Sequence, residues 1–163
     1  MRLWVQSMTN QIWLRPSIIA WSQLLLDSFH HWIGRELIDR NGPALRQAQV
    51  LFEAPFVVVS HGAEADPILN YGNQVALGLW KMTWEQLIRT PSRQTAEPAY
   101  QEERSRMLIR AAEHGYFEGY RGVRISATGR RFLVTGATVW TVLDHEGRRV
   151  GQAAAFADWS NVP

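Results

Sequence analysis

The stretch RFLVTGATVW, residues 131–140, is apolar on both sides of a strand. Successive side chains of a strand point to opposite faces. Strict alternation puts Phe132, Val134, Thr138 and Trp140 on one face and Leu133, Ala137 and Val139 on the other. A sheet that is apolar on both faces has to be covered on both. Two more strands flank this one. FEGYRGVRIS ends at the turn ATGR, and RVGQAAAFADW follows the turn DHEGR. Gly129 and Gly147 stand where hairpin turns call for positive φ. The chain therefore closes with three antiparallel strands, and the rest of it must supply two covers.

One cover is read from SIIAWSQLLLDSFHHWIG, residues 17–34. Ile18, Trp21, Leu25 and Phe29 recur at helical spacing, with Leu24, Ser28 and Trp32 beside them. Ser17 is the expected N-cap after Pro16, and Gly34 the expected stop. This amphipathic helix is expected to lie on the sheet, within one chain or across a homodimer, and a homodimer formed through it is the expected assembly. The expected division is an N-terminal extension, residues 1–42, with the helix at about 17–33, and a main domain, residues 43–163. Of the eight Trp, four fall in the first 32 residues, and this packing explains them better than a membrane does. No run of eighteen uncharged apolar residues exists, so no transmembrane helix is expected. The start lacks the ordered sections of a signal peptide, and Met8 is an alternative start to Met1.

Between that helix and the closing strands, RELIDRNGPA is a polar connector and ALRQAQVLFEA a short helix. FVVVSHG is a buried strand by composition. Glu64, Asp66 and Pro67 turn the chain into ILNYGN, a second strand, and the pair reads as a hairpin. Asn73 is the expected N-cap of the helix that follows, and Thr83 with Gln86 fits a capping box. TPSRQTAEPA is read as a loop. YQEERSRMLIRAAEHG is read as a long helix with Met107, Leu108, Ala111 and Ala112 on its apolar side and Gly115 as its stop. The fold class is α+β, with several central helices as the second cover.

The chemistry-bearing residues are sparse. The chain has no Cys, which excludes disulfide frameworks, Cys-zinc sites and thiol catalysis and fits a reducing, cytoplasmic setting. Sixteen Arg and one Lys, Lys81, are spread without a block, so the formal charge of +2 describes a solvated surface rather than a nucleic-acid face. His30, His31, His61, His114 and His145 show no metal-binding spacing, and no metal site is expected. His61 ends the first strand near the mouth of any pocket, and His114 ends the long helix. Ser60 and His61 are neighbours on a strand and point to opposite faces, so they form no nucleophile–base pair. Glycine patterns for dinucleotides and phosphate loops are absent. The enzymatic alternative is a small pocket enzyme, of isomerase or hydrolase type, using His61 with Glu64 or Asp66.

APFVVVSHGAEADPILNYGNQVALGLW resembles the start of a PAS domain, with Asn73 at the family's helix-capping Asn. GYRGVRISATGRRFLVTGATVW and LDHEGRRVGQAAAFADWS resemble its three-strand finish, including the turn from Asp144 to Gly147. LLLDSFHHWIGREL, TPSRQTAEP, EHGYFEGYRGVRIS and GQAAAFADW make the chain similar, over roughly residues 20–160, to the MEKHLA family, a PAS-like group. The resemblance implies a five-stranded antiparallel sheet of order 2-1-5-4-3, with helices on one face and the N-terminal helix on the other. It also implies a pocket whose walls on this sequence are expected from Val57, Val59, His61, Trp80, Met107, His114, Phe132 and Val134. Such pockets are filled by side chains in some members and hold small metabolites, haem or flavin in others. The cofactor is therefore open, with none expected first and haem on His61 or His114, or flavin, as alternatives. The implied function is a non-enzymatic sensory or regulatory module that binds a small ligand or a protein partner.

Overall fold

The computed structural model describes residues 11–163. Trp4 and the choice between Met1 and Met8 lie outside the described residues. A short turn of 3-10 helix, Ile12–Leu14, leads into helix α1, Pro16–Ile33. Pro16 occupies the first turn, where its missing N–H costs nothing, so Arg15 rather than Ser17 takes the cap position. Gly34 closes the helix with φ 82°. Helix α2 covers Ala44–Phe52, and the hairpin β1, Val57–Gly62, and β2, Leu69–Gly72, follows. Helices α3, Gln74–Trp80, and α4, Trp84–Leu87, are each capped as the sequence requires. The segment expected as a plain loop contains a 3-10 turn at Ser92–Thr95. Helix α5 runs over Pro98–His114. Its buried stripe is Arg104, Met107 and Ala111, spaced three and four apart, while Ala112 faces solvent.

Strands β3, Tyr116–Ile125, β4, Arg131–Leu143, and β5, Arg149–Phe156, complete an antiparallel sheet in the order β2-β1-β5-β4-β3, as expected. A sixth strand, β6 at Asp158–Val162, continues the line of β5 and pairs with the first half of β4, Phe132 opposite Asn161. The second half of β4 pairs with β5, Thr138 opposite Ala155.

Strict alternation along β4 fails. Gly136 has φ 67°, and the register against β3 slips between Tyr120 and Gly122. An extra residue in one strand shifts the phase of every side chain beyond it. Phe132 and Val134 therefore share their face with Ala137 and Val139, while Trp140 and Val142 turn to the opposite side. Phe132 and Trp140, expected on one face, belong to two different cores. Gly119 on β3, φ 80°, lies at the matching slip between Phe117 and Tyr120.

The sheet is covered on both faces. On one side α3 and α5 pack Trp80, Met107 and Ala111 against Val57, Val134, Val139 and Phe156. On the other, α1 and α2 pack Leu25, Leu26, Phe29, Leu51 and Phe52 against Val58, Trp140, Val142 and Ala153. Three indoles pin α1 to the strands: Trp21 Nε1 donates to Ser60 Oγ at 2.9 Å, Trp32 Nε1 to the Thr141 carbonyl at 2.9 Å, and Trp140 Nε1 to the Leu25 carbonyl at 3.2 Å. Ile18, Trp21, Leu25 and Phe29 thus spend their apolar stripe on the sheet of their own chain. That stripe is not a surface open to a second copy.

Candidate functional site

Alternation along β1 sends Val57, Val59 and His61 toward α5, and Val58 and Ser60 toward α1. His61 sits opposite Gln152 of β5, and Gln152 opposite Thr141 of β4. Directly opposed residues share a face. A row of three polar side chains therefore crosses this face, and all three are buried.

Between this face and α5 lies a cavity of about 70 Å³. Val59, His61, Trp80, Met107 and Val134 line it. Val57 and Phe132 stand in the apolar layer beside it, packed with Trp80 and Phe156. His114 does not reach it. That residue is in the last turn of α5, exposed, at a carbonyl-rich helix end that suits a polar ring.

His61 is 6% exposed, and its Nδ1 lies 2.8 Å from the Gly62 carbonyl. A carbonyl only accepts, so in the neutral ring Nδ1 carries the hydrogen and Nε2 is left as an acceptor. Nε2 is buried and has no protein partner. Burial holds the His61 pKa below 6.5; the Gly62 contact opposes this, Arg104 and Arg149 add to it, and Glu64 opposes it weakly. Gln152 is fixed by the same logic. Its Nε2 donates to the Leu108 carbonyl at 3.2 Å, which leaves Oε1 buried and unpartnered. Trp80 Nε1 and Thr141 Oγ1 are also buried without partners.

Two arginines line the cavity as well. Arg104 is 6% exposed, and its guanidinium donates to Ser92 Oγ. Burial, and then the charge of Arg124, push its pKa down to about 10. Arg124 lies over the Tyr120 ring at 5.1 Å and donates to the Val123 carbonyl. Among the described residues neither guanidinium pairs with a carboxylate.

The dyad of the enzymatic alternative does not form. Glu64 accepts from the backbone N–H of Ile68, and Asp66 pairs with Arg93, both at the exposed turn. Neither hydrogen-bonds His61, whose Nε2 is buried without a protein partner. No group of three or more His, Asp or Glu stands together among the described residues to hold a metal ion.

Sequence reasoning missed Arg104, Arg124 and Gln152. Two carried a signal. Arg104 repeats with Met107 and Ala111 at the spacing of a buried helix face, and Gln152 holds the buried phase of a strand with Ala154 and Phe156.

The lowered His61 pKa has a consequence for stability. The unfolded chain protonates this ring near pH ~6.5, and the folded one only at lower pH. The unfolded state therefore binds more protons across that window, and stability falls as pH drops below ~6.5. In urea unfolding at pH 7.5 and 5.5, the wild type should lose more stability on acidification than His61→Gln. Equal losses would show that the ring is not held neutral by burial.

The order of strands, the covering helices and the cavity between sheet and α5 define a PAS-type fold. A PAS domain from Colwellia psychrerythraea superposes with a TM-score of 0.60 at 16% identity, covering 72% of this chain and 94% of that one. A light-oxygen-voltage domain studied with a flavin analogue gives 0.57 at 16% identity, covering 72% and 85%. An RNA-binding light-oxygen-voltage receptor gives 0.59 at 16% identity, over 77% of this chain and 36% of that longer one. By sequence, the MEKHLA domain matches residues 19–161, and the chain belongs to that family. No curated protein matches it significantly.

The cavity does not fit the ring cofactors of such folds. A cavity of roughly 150 Å³ takes one benzene ring, and this one has about 70 Å³. A porphyrin or a three-ring flavin is larger still. Among the described helices none is long and apolar enough to cross a membrane.

Proposed function

We propose that the chain is a non-enzymatic sensory module that holds a small molecule between the sheet and α5. One observation carries this reading: His61, Gln152 and Trp80 line a single small cavity, and each carries a buried side-chain atom, Nε2, Oε1 and Nε1, without a protein partner. A buried polar atom left unpaired costs about 1–3 kcal/mol, which a ligand that pairs with it recovers. Strands β1 and β4 also carry the anchors of α1, at the Ser60 hydroxyl and the Thr141 backbone carbonyl. A shift of the His61–Gln152–Thr141 row is felt by α1 one strand-thickness away, and α1 is the output element of this reading. A protein partner would read α1 and α2 from outside. A homodimer through Ile18, Trp21, Leu25 and Phe29 would require two chains to exchange α1.

A thermal-shift screen of metabolites of up to about five or six heavy atoms tests the ligand site. A ligand at a hundredfold excess over Kd adds about 2.7 kcal/mol of stability. In a domain of this size that is a rise in Tm of roughly 5–10 °C. Ala154→Leu, which fills the cavity floor, should abolish the shift. A hit unaffected by Ala154→Leu, or no hit at all, would contradict the reading.

A further inference from the structure

The chemistry of the cavity also states what kind of molecule it takes, an inference that rests on reading the cavity as a ligand site. We propose that the ligand is a small hydroxycarboxylate of about two or three carbons. Its carboxylate lies on Arg104, and its hydroxyl donates to His61 Nε2 or Gln152 Oε1.

The carboxylate follows from the arginines. Arg104 rises from the buried stripe of α5, where Met107 and Ala111 are apolar, and no carboxylate of the described residues meets it. Ser92 Oγ takes one of its five N–H hydrogens. Arg124, on the facing strand, adds a second positive charge to the same cavity instead of neutralising the first. A charge taken out of water needs an opposite charge with good hydrogen-bond geometry. The planar guanidinium fork matches a carboxylate in two parallel bonds. Trp80, which also lines the cavity, carries a third donor, Nε1, buried and without a partner.

The hydroxyl follows from the acceptors. The carbonyls of Gly62 and Leu108 take the hydrogens of His61 Nδ1 and Gln152 Nε2, so the buried atom each of these cavity-lining side chains has left is an acceptor. Two acceptors side by side repel a second carboxylate and invite an O–H. Val59, Val134, Val139 and Met107 leave room only for a short carbon body.

The test is calorimetry and thermal shift on the dialysed full chain at constant ionic strength. The probes are glycolate and lactate, each beside its deoxy acid and its amide. At least one hydroxy acid should bind, with the deoxy acid weaker by roughly tenfold or more and the amide by more still. Arg104→Met should weaken that hydroxy acid by about tenfold to a hundredfold. The same variant should not lower the ligand-free Tm, because it removes an unpaired buried charge. Amides binding as well as acids, or deoxy acids as well as hydroxy acids, would overturn the proposal and leave the ligand site standing. So would Arg104→Met that lowers the ligand-free Tm and keeps the affinity, for then Arg104 is a strut. If no probe binds while other compounds of the wider screen do, the proposal alone fails. If nothing binds in either experiment, both readings fail.

Discussion

Trp140→Ala should cost about 3–5 kcal/mol of unfolding free energy. Trp140 is fully buried in β4, on the far side of the sheet from the cavity. Its ring meets Phe29 edge to face with centroids 5.0 Å apart, and its Nε1 donates to the Leu25 carbonyl at 3.2 Å. One truncation therefore removes a large apolar volume, an aromatic pair and a hydrogen bond that joins helix to sheet. The neighbours are held by the strands and cannot collapse fully into the space, so a cavity term adds to the transfer term. Urea unfolding measures the cost, with Trp159→Ala, 36% exposed on β6, as the comparison. A loss below about 1 kcal/mol for Trp140→Ala would mean that α1 is not docked on this sheet.

Asn73→Ala should be nearly as damaging, at about 3 kcal/mol or more. The Asn73 side chain is wholly buried and makes four hydrogen bonds. Its Oδ1 accepts from Ala76 N at 3.2 Å, which caps α3, and from Val58 N at 3.1 Å, which fixes the start of β1. Its Nδ2 donates to the carbonyls of Phe56 at 2.8 Å and Leu51 at 3.2 Å. Alanine removes a partner from four backbone groups, of which only the Leu51 carbonyl keeps another, the Ala54 N–H at 3.4 Å. Asn73→Asp separates capping from bridging: it keeps both acceptor bonds but sets a carboxylate against two carbonyls. If capping were the whole role, Asn73→Asp would be nearly neutral. The geometry predicts that it is strongly destabilising, by the same urea measurement.

The sequence let the scaffold be read because its signals are local. Hairpin glycines, the capping box at Thr83 and Gln86 and the cap at Asn73 each act within a few residues, and each stands where expected. The bridging half of Asn73 was invisible, since Val58, Phe56 and Leu51 reach it only after folding. The faces of β4 were misread for a related reason. Gly136 reads equally well as a strand residue and as a bulge until β3 sets the register. Val59, His61, Trp80, Met107 and Val134 reached the cavity because their phase on strand or helix was legible. The polar wall was harder to read: the spacing put Arg104 and Gln152 in phase with buried neighbours, but an Arg or a Gln in an amphipathic pattern looks like solvent-facing text. Only the packing of α5 on β1, β4 and β5 shows that Arg104 and Gln152 are inside.

The most direct test of the ligand site is a two-dimensional NMR titration of ¹⁵N-labelled protein with glycolate or lactate. The account predicts shift changes concentrated at Val59, His61, Arg104, Val134 and Gln152, with weaker changes across the sheet at Ser60 and Trp21. Changes confined to exposed arginines such as Arg106, Arg110 and Arg121, or no changes at millimolar concentration, would contradict it.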